Sequence, residues 1–230
     1  MPSYHDRSPV TKRERFAWCM YDMANSGYTT VILTAVFNAY FVGVVAAEEG
    51  NDQATLLWTL AMAAANALVL ISAPVIGAIA DYSGTKKRFL FISTAGCVLF
   101  TALLSTIGPG DTYWAIVLVV LATFMFASGE NLIAAFLPEI SDAETMGRLS
   151  GYGWALGYLG GLFTLALCLG YVTYAEQQGY DATHYVQVST LIVAALFGLA
   201  ALPTLLWLRE RSSTQKTPIT TQIIIAGFMR

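Results

Sequence analysis

Charge is scarce in this sequence. Asp, Glu, Lys and Arg together make up 12% of its 230 residues, about half the share of an ordinary soluble domain. A soluble fold of this size could not hide the 56% that are hydrophobic, because much of any chain must face water. A bilayer removes that difficulty, since lipid-facing positions are apolar too. The net charge of −3 supplies no basic surface, so no nucleic-acid partner is expected. Histidine is nearly absent: His5 and His184 both fall outside the apolar runs, which argues against metal chemistry inside a membrane. Cys19, Cys97 and Cys168 each sit within an apolar run, without metal-ligand spacing or a loop for a disulfide. They read as small packing residues. The sequence contains no nucleophile elbow, no His-Glu-x-x-His and no nucleotide-binding loop. Neither an enzyme nor a cofactor is expected, and ATP-driven transport would need another subunit.

What the sequence does have is a series of apolar runs, at about 16–46, 54–80, 88–107, 113–138, 149–173 and 185–208. Each is long enough to cross ~30 Å of hydrocarbon as a helix rising ~1.5 Å per residue. The runs are too long for strands and lack their period-2 alternation. A helix also satisfies every backbone N–H and C=O internally, as lipid demands. The first run is too long for the core of a signal peptide. The expected fold is therefore an all-α membrane protein, a bundle of six transmembrane helices with the bilayer as its first partner. Residues 1–15 form an N-terminal tail. Residues 209–230 form a polar segment in which Ile219 to Phe228 is partly apolar but too short to span, and reads as interfacial. The chain stops at Arg230 inside this unfinished segment, which suggests a longer natural protein.

All of the cations lie on alternate sides of the runs. Arg7, Lys12, Arg13 and Arg15 precede the first, Lys86, Lys87 and Arg88 separate the second from the third, Arg148 separates the fourth from the fifth, and Arg209, Arg211, Lys216 and Arg230 follow the sixth. The intervening loops carry Glu48, Glu49, Asp52, Asp111, Glu176 and Asp181 and no cation. The positive-inside rule then places both termini in the cytoplasm. An odd number of spans would spoil the alternation.

The loop between the second and third runs has a definite pattern. An acid, Asp81, stands four residues after Gly77, and Gly84 follows before Lys86, Lys87 and Arg88. Gly77 permits close helix approach and Gly84 a tight turn, while Asp81 can bond a neighbouring helix N-terminus or a cation. A solvated loop obeying the charge rule would need the lysines only. Here the sequence resembles the major facilitator superfamily, whose signature at this place is Gly-x-x-x-Asp-x-x-Gly-x-(Lys/Arg)-(Lys/Arg). Gly77, Asp81, Gly84, Lys86 and Lys87 match, and Thr85 stands where many members have Arg. Two further stretches, Trp18 to Gly27 and Phe136 to Gly161, look like the vacuole-effluxer-like branch of that superfamily. Its fungal members are associated with amino-acid efflux from the vacuole, and its many bacterial members are mostly uncharacterised. The resemblance covers nearly the whole chain but only the N-terminal half of a usual member, which has two six-helix halves, each a 3+3 inverted repeat. It implies that the loop latches the two halves, that 209–230 is a cytoplasmic linker, and that a second half or a second copy of the chain completes the transporter. It favours a bacterial plasma membrane over a vacuolar one.

Two acids lie within runs. Asp22, Asn25 and Ser26 share one helix face at spacings of three and four. An acid in a span costs a few kcal/mol and seldom faces lipid. Asp22 is either a substrate- or proton-binding group or a residue close enough to Arg15 to reach cytoplasmic water. Glu130, beside Asn131, is the most deeply placed acid and has no cation near it in sequence. Burial disfavours its charged form, which suits a proton-coupling group or a protonated acid bonded to a neighbouring helix. The inverted repeat makes spans 1 and 4 equivalent, and the resemblance implies that both line the central cavity.

Gly153, Gly157 and Gly161 recur every four residues in the fifth run and form a smooth ridge, widened by Gly151 and Gly160, on which another helix packs or slides. Arg148 pairs with Asp81 or Glu139, or makes an ordinary surface ion pair. Pro138 ends span 4, and His184 reads as a solvated loop residue. The leading expectation is a secondary-active transporter of a small solute, with amino-acid or metabolite efflux and proton coupling as its finer form. The alternative is a half-length remnant or a membrane scaffold subunit without transport activity.

Overall fold

The computed structural model describes residues 9–211, apart from the side chain of Asp81. His5 and most of the 209–230 segment, including Ile219 to Phe228, lie outside the described residues. The chain runs through α1 (Lys12–Val45), α2 (Asn51–Ser83), α3 (Lys86–Leu103), α4 (Thr112–Ala134), α5 (Met146–Gln177) and α6 (Ala182–Trp207). Six helices are long and apolar enough to cross a membrane, and no strand occurs among the described residues. This is an all-α, integral multi-pass membrane protein. Its basic end carries the start of α1, the α2–α3 and α4–α5 loops and the end of α6. Its acidic end carries the other three turns.

The helices outrun the apolar stretches because polar residues cap them. Thr11 Oγ1 accepts the Glu14 N–H at 3.3 Å, and Glu14 Oε2 accepts the Thr11 N–H at 2.9 Å. This capping box starts α1 at Lys12 rather than at the first apolar residue. Asp181 likewise accepts the His184 N–H at 3.0 Å and starts α6 at Ala182. His184 therefore sits in a helix turn, not a solvated loop. Its Nε2 lies 3.2 Å from the Tyr171 hydroxyl and its ring stacks on Tyr180 at 4.3 Å. Gly84 ends α2 in the left-handed region (φ 62°), which returns the Thr85 N–H to Ala80 O at 3.2 Å. Pro138 opens a short helix, Leu137–Ile140, just beyond α4.

Within α1 the geometry changes twice. Thr29–Ala35 and Phe41–Val45 are π-helical, with Val36 N–H donating to Val31 O and Ala46 N–H to Phe41 O, each at 2.9 Å. The β-branched run Thr29-Thr30-Val31-Ile32 crowds the preceding turn of a regular helix. Side chains take up the displaced carbonyls: Thr34 donates to Thr29 O at 3.0 Å and Asn38 to Leu33 O at 3.2 Å.

Packing follows a simple exchange rule. α1 packs on α5 and α6, α4 packs on α2 and α3, and α3 packs on α6. Swapping α1 with α4, α2 with α5 and α3 with α6 maps this pattern onto itself, as a 3+3 inverted repeat requires. The centre holds Tyr21 and Tyr28, both fully buried. Their hydroxyls lie 2.9 Å from Thr94 and 3.1 Å from Thr123, so neither phenol is buried without a partner. Phe126 stacks on Tyr28 at 4.9 Å, and Phe197 meets both tyrosines edge-on. The three cysteines are buried and unbridged.

Candidate solute-binding site

α1 and α5 approach closely because α5 presents glycines. A Cβ at Gly153 would lie 2.5 Å from Asp22 Oδ2, and one at Gly157 would lie 2.8 Å from Ser26 Oγ and 3.1 Å from Asp22 O. At Gly160 it would collide with Met23, 2.9 Å from that residue's carbonyl oxygen, and at Gly161 it would lie 3.0 Å from Thr30 Oγ1. Gly27 of α1 answers from the other side, where a Cβ would lie 2.8 Å from Thr164 Oγ1. Gly151 is not part of this seam: a Cβ there meets nothing within 4 Å, because it is two residues from Gly153 and so on another face.

A cavity of about 380 Å³ opens along one side of the seam. α1 contributes Asp22, Asn25, Ser26, Thr29 and Thr30, α4 contributes Glu130, and α5 contributes Trp154, Tyr158, Gly157 and Gly161. Among the described residues no Lys, Arg or His lines it. Asp22 and Glu130 face the same cavity. Glu130 is exposed on the cavity's open side rather than sealed in the helix interface, because α4 packs on α2 and α3 through other faces. Trp154 and Tyr158 stack with centroids 6.2 Å apart and form an aromatic wall. Asn25 is 4% exposed, and neither its Oδ1 nor its Nδ2 has a hydrogen-bond partner. A buried polar group left so costs about 1–3 kcal/mol. An amide can both donate and accept, so Asn25 is a ready contact for a polar solute or water.

Asn131 is on a different face. It lines a separate recess of about 250 Å³ between α2 and α4, with Ala73, Ile76, Gly77 and Lys86. Neighbouring helix residues diverge by about 100°, so α4 cannot aim Glu130 and Asn131 into one cavity. Gly77 is not at a close helix approach either, since a Cβ there meets open space.

At the basic end the α2–α3 loop is tied into this same bundle. Lys86 Nζ pairs with Glu139 Oε1 at 2.8 Å. The Lys86 and Lys87 N–H groups donate to the Glu210 carboxylate at 2.9 and 3.3 Å, so an acid beyond α6 caps the positive end of α3. Lys87 Nζ donates to Leu208 O at 2.7 Å. Arg211 donates its N–H to Glu139 Oε2 and pairs through Nη2 with Glu14 Oε1, both at 2.8 Å. Glu139 is thus held by Lys86 and Arg211 rather than by Arg148. Arg148 instead lines a groove with Lys12 and Arg15. The side chain of Asp81 lies outside the described residues.

Residues 141–230 match the family described as vacuole effluxer Atg22 like. Over 225 residues the chain is 31% identical to an uncharacterized MFS-type transporter, YxiO, of Bacillus subtilis (strain 168). The alignment takes in 96% of this chain and 51% of that relative. The chain belongs to the major facilitator superfamily. It spans about half the length of the relative it matches, and it corresponds to the N-terminal half of a major facilitator protein.

Several residues of this major facilitator half escaped the sequence reading. Trp154 and Tyr158, four apart in an apolar run, are indistinguishable in sequence from lipid-facing aromatics. Thr29 and Thr30 read as part of a β-branched stretch. Glu14, Glu210 and Arg211 sit at run ends where charge is ordinary, and only the acid in a capping box, Glu14, carried a signal.

Proposed function

We propose that this six-helix unit is one half of a secondary transporter that moves a small polar solute by alternating access, with a second half or a second copy closing the cavity's open side. The observation that carries this reading is the buried, unpartnered Asn25 amide in a cavity that also holds Asp22 and Glu130. A scaffold subunit has no use for such a group. The lining is anionic and aromatic, which suits the ammonium end of a solute such as an amino acid. Glu130, on the open side, is the group placed to exchange a proton, with Asp22 and Tyr21 as its titratable neighbours. The charge rule puts the basic end, and with it both termini, in the cytoplasm. The bacterial relative favours a plasma membrane, and the effluxer family description favours an efflux role.

The test is exchange of labelled amino acids across proteoliposomes holding the protein with its completing half. Asn25→Ala and Asp22→Asn are expected to lower exchange at least tenfold. Glu130→Gln is expected to keep exchange but lose accumulation driven by a pH gradient. Exchange that is absent in the wild type, or unchanged in all three variants, would leave the scaffold reading standing.

A further inference from the structure

A second groove, of about 600 Å³, opens at the basic end between α1 and α5. Lys12 and Arg15 reach it from the first turn of α1, and Arg148 from the first turn of α5. Deeper along both helices the lining turns apolar, with Phe16, Tyr152, Leu156 and Leu159. Arg148, Tyr152, Ala155 and Leu159 follow one another at helical spacing and so share one face of α5. Trp154 and Tyr158 point about 110° away from that face, and they line the acidic cavity rather than this groove. Tyr152 and Leu159 are each 62% exposed and Phe16 is 49% exposed. From Arg148 to Leu159 α5 rises about 16 Å, close to the ~15 Å hydrocarbon depth of one leaflet.

The mouth is positive and incompletely paired. Arg15 Nε is buried without a hydrogen-bond partner. An acid close by is Asp142, whose Oδ1 accepts from the Thr145 hydroxyl and N–H at 2.6 and 2.9 Å. Those bonds hold its carboxyl below the usual aspartate range, with Arg15 adding a smaller pull. Among the described residues the lining itself carries three cations and no acid, so the mouth is positive.

We propose that this groove binds an anionic phospholipid, its phosphate among Lys12, Arg15 and Arg148 and one acyl chain along Phe16, Tyr152 and Leu159. Guanidinium groups suit phosphate oxygens in forked geometry, and basic pockets between membrane helices attract anionic headgroups. A soluble phosphate shares the headgroup chemistry but has nothing to place on the apolar floor.

The test is native mass spectrometry of the full chain in detergent, with phosphatidylglycerol and phosphatidylcholine of identical acyl chains supplied together. Phosphatidylglycerol should be retained at least fivefold over phosphatidylcholine. The variant carrying Lys12→Gln, Arg15→Gln and Arg148→Gln should lose that preference. Arg148→Gln alone, at an exposed position, should give an intermediate ratio and keeps the test valid if the triple variant does not fold. Equal retention of the two lipids, or a preference unchanged in Arg148→Gln and the triple variant, overturns the proposal. Displacement of phosphatidylglycerol by an equal concentration of glycerol 1-phosphate overturns it too, by showing a soluble-anion site.

Discussion

α2 and α5 occupy equivalent places in the two three-helix repeats, α2 beside α4 and α5 beside α1. α5 meets its partner through glycines set against α1 side chains and backbone, with Thr164 filling the notch at Gly27. α2 is nearly bare: 6% of its apolar window is buried, against 28% for α5. Its one glycine, Gly77, faces open space. Equivalent topology therefore does not mean equivalent use. α5 is keyed to α1 along the cavity wall. α2 is left largely uncovered by this bundle.

Breaking the α1–α5 seam should have the largest effect. Gly160→Leu puts a side chain into Met23 and its carbonyl, and overpacking of this kind costs about 3 kcal/mol. The melting temperature in detergent should fall sharply, and an unchanged value would show that α5 is free to shift. At the α2–α3 junction the ion pair to cut is Lys86–Glu139. Lys86→Met leaves the Glu139 carboxylate, 14% exposed, without its cation. Breaking a fully buried pair costs about 3–5 kcal/mol, and partial exposure here brings the expected loss to about 2 kcal/mol, read from the same melting curve. Gly77→Ala should have the smallest effect and the opposite sign, because alanine replaces a helical glycine without a clash. A gain of about 0.5 kcal/mol is expected. If the same change blocks exchange in the assembled transporter, the second half packs on α2 at Gly77. If it does neither, α2 faces lipid there.

Much of the bundle was legible because membrane physics writes loudly. Six runs and the alternation of cations needed no tertiary information, and Gly84 announced a turn that only a left-handed residue makes cheaply. Asp22 and Glu130 stood out because an acid in an apolar run is costly. Their convergence on one cavity could be argued from the repeat before it was seen. Asn131 faces another recess than Glu130, because sequence neighbours on a helix diverge by about 100°. Gly77 offers room for a neighbour, and this bundle leaves that room unfilled. The aromatic wall and the ties from Glu210 and Arg211 depend on which helices become neighbours, and that is decided by packing across more than a hundred residues.

The wide turns in α1 bear on what kinds of sequence change the bundle tolerates. A π turn holds one more residue than an α turn over the same arc, so Thr29–Ala35 behaves like a helix that has absorbed an insertion. Phe37, Tyr40 and Phe41 beyond it are buried, and a residue gained or lost in a regular stretch would swing them about 100° out of phase. A deletion inside the wide segment would instead be taken up as a tightening, leaving those rings in their sockets. The helix carries its own register slack from the edge of the acidic cavity outward, so beyond Thr30 a change of length would do least harm.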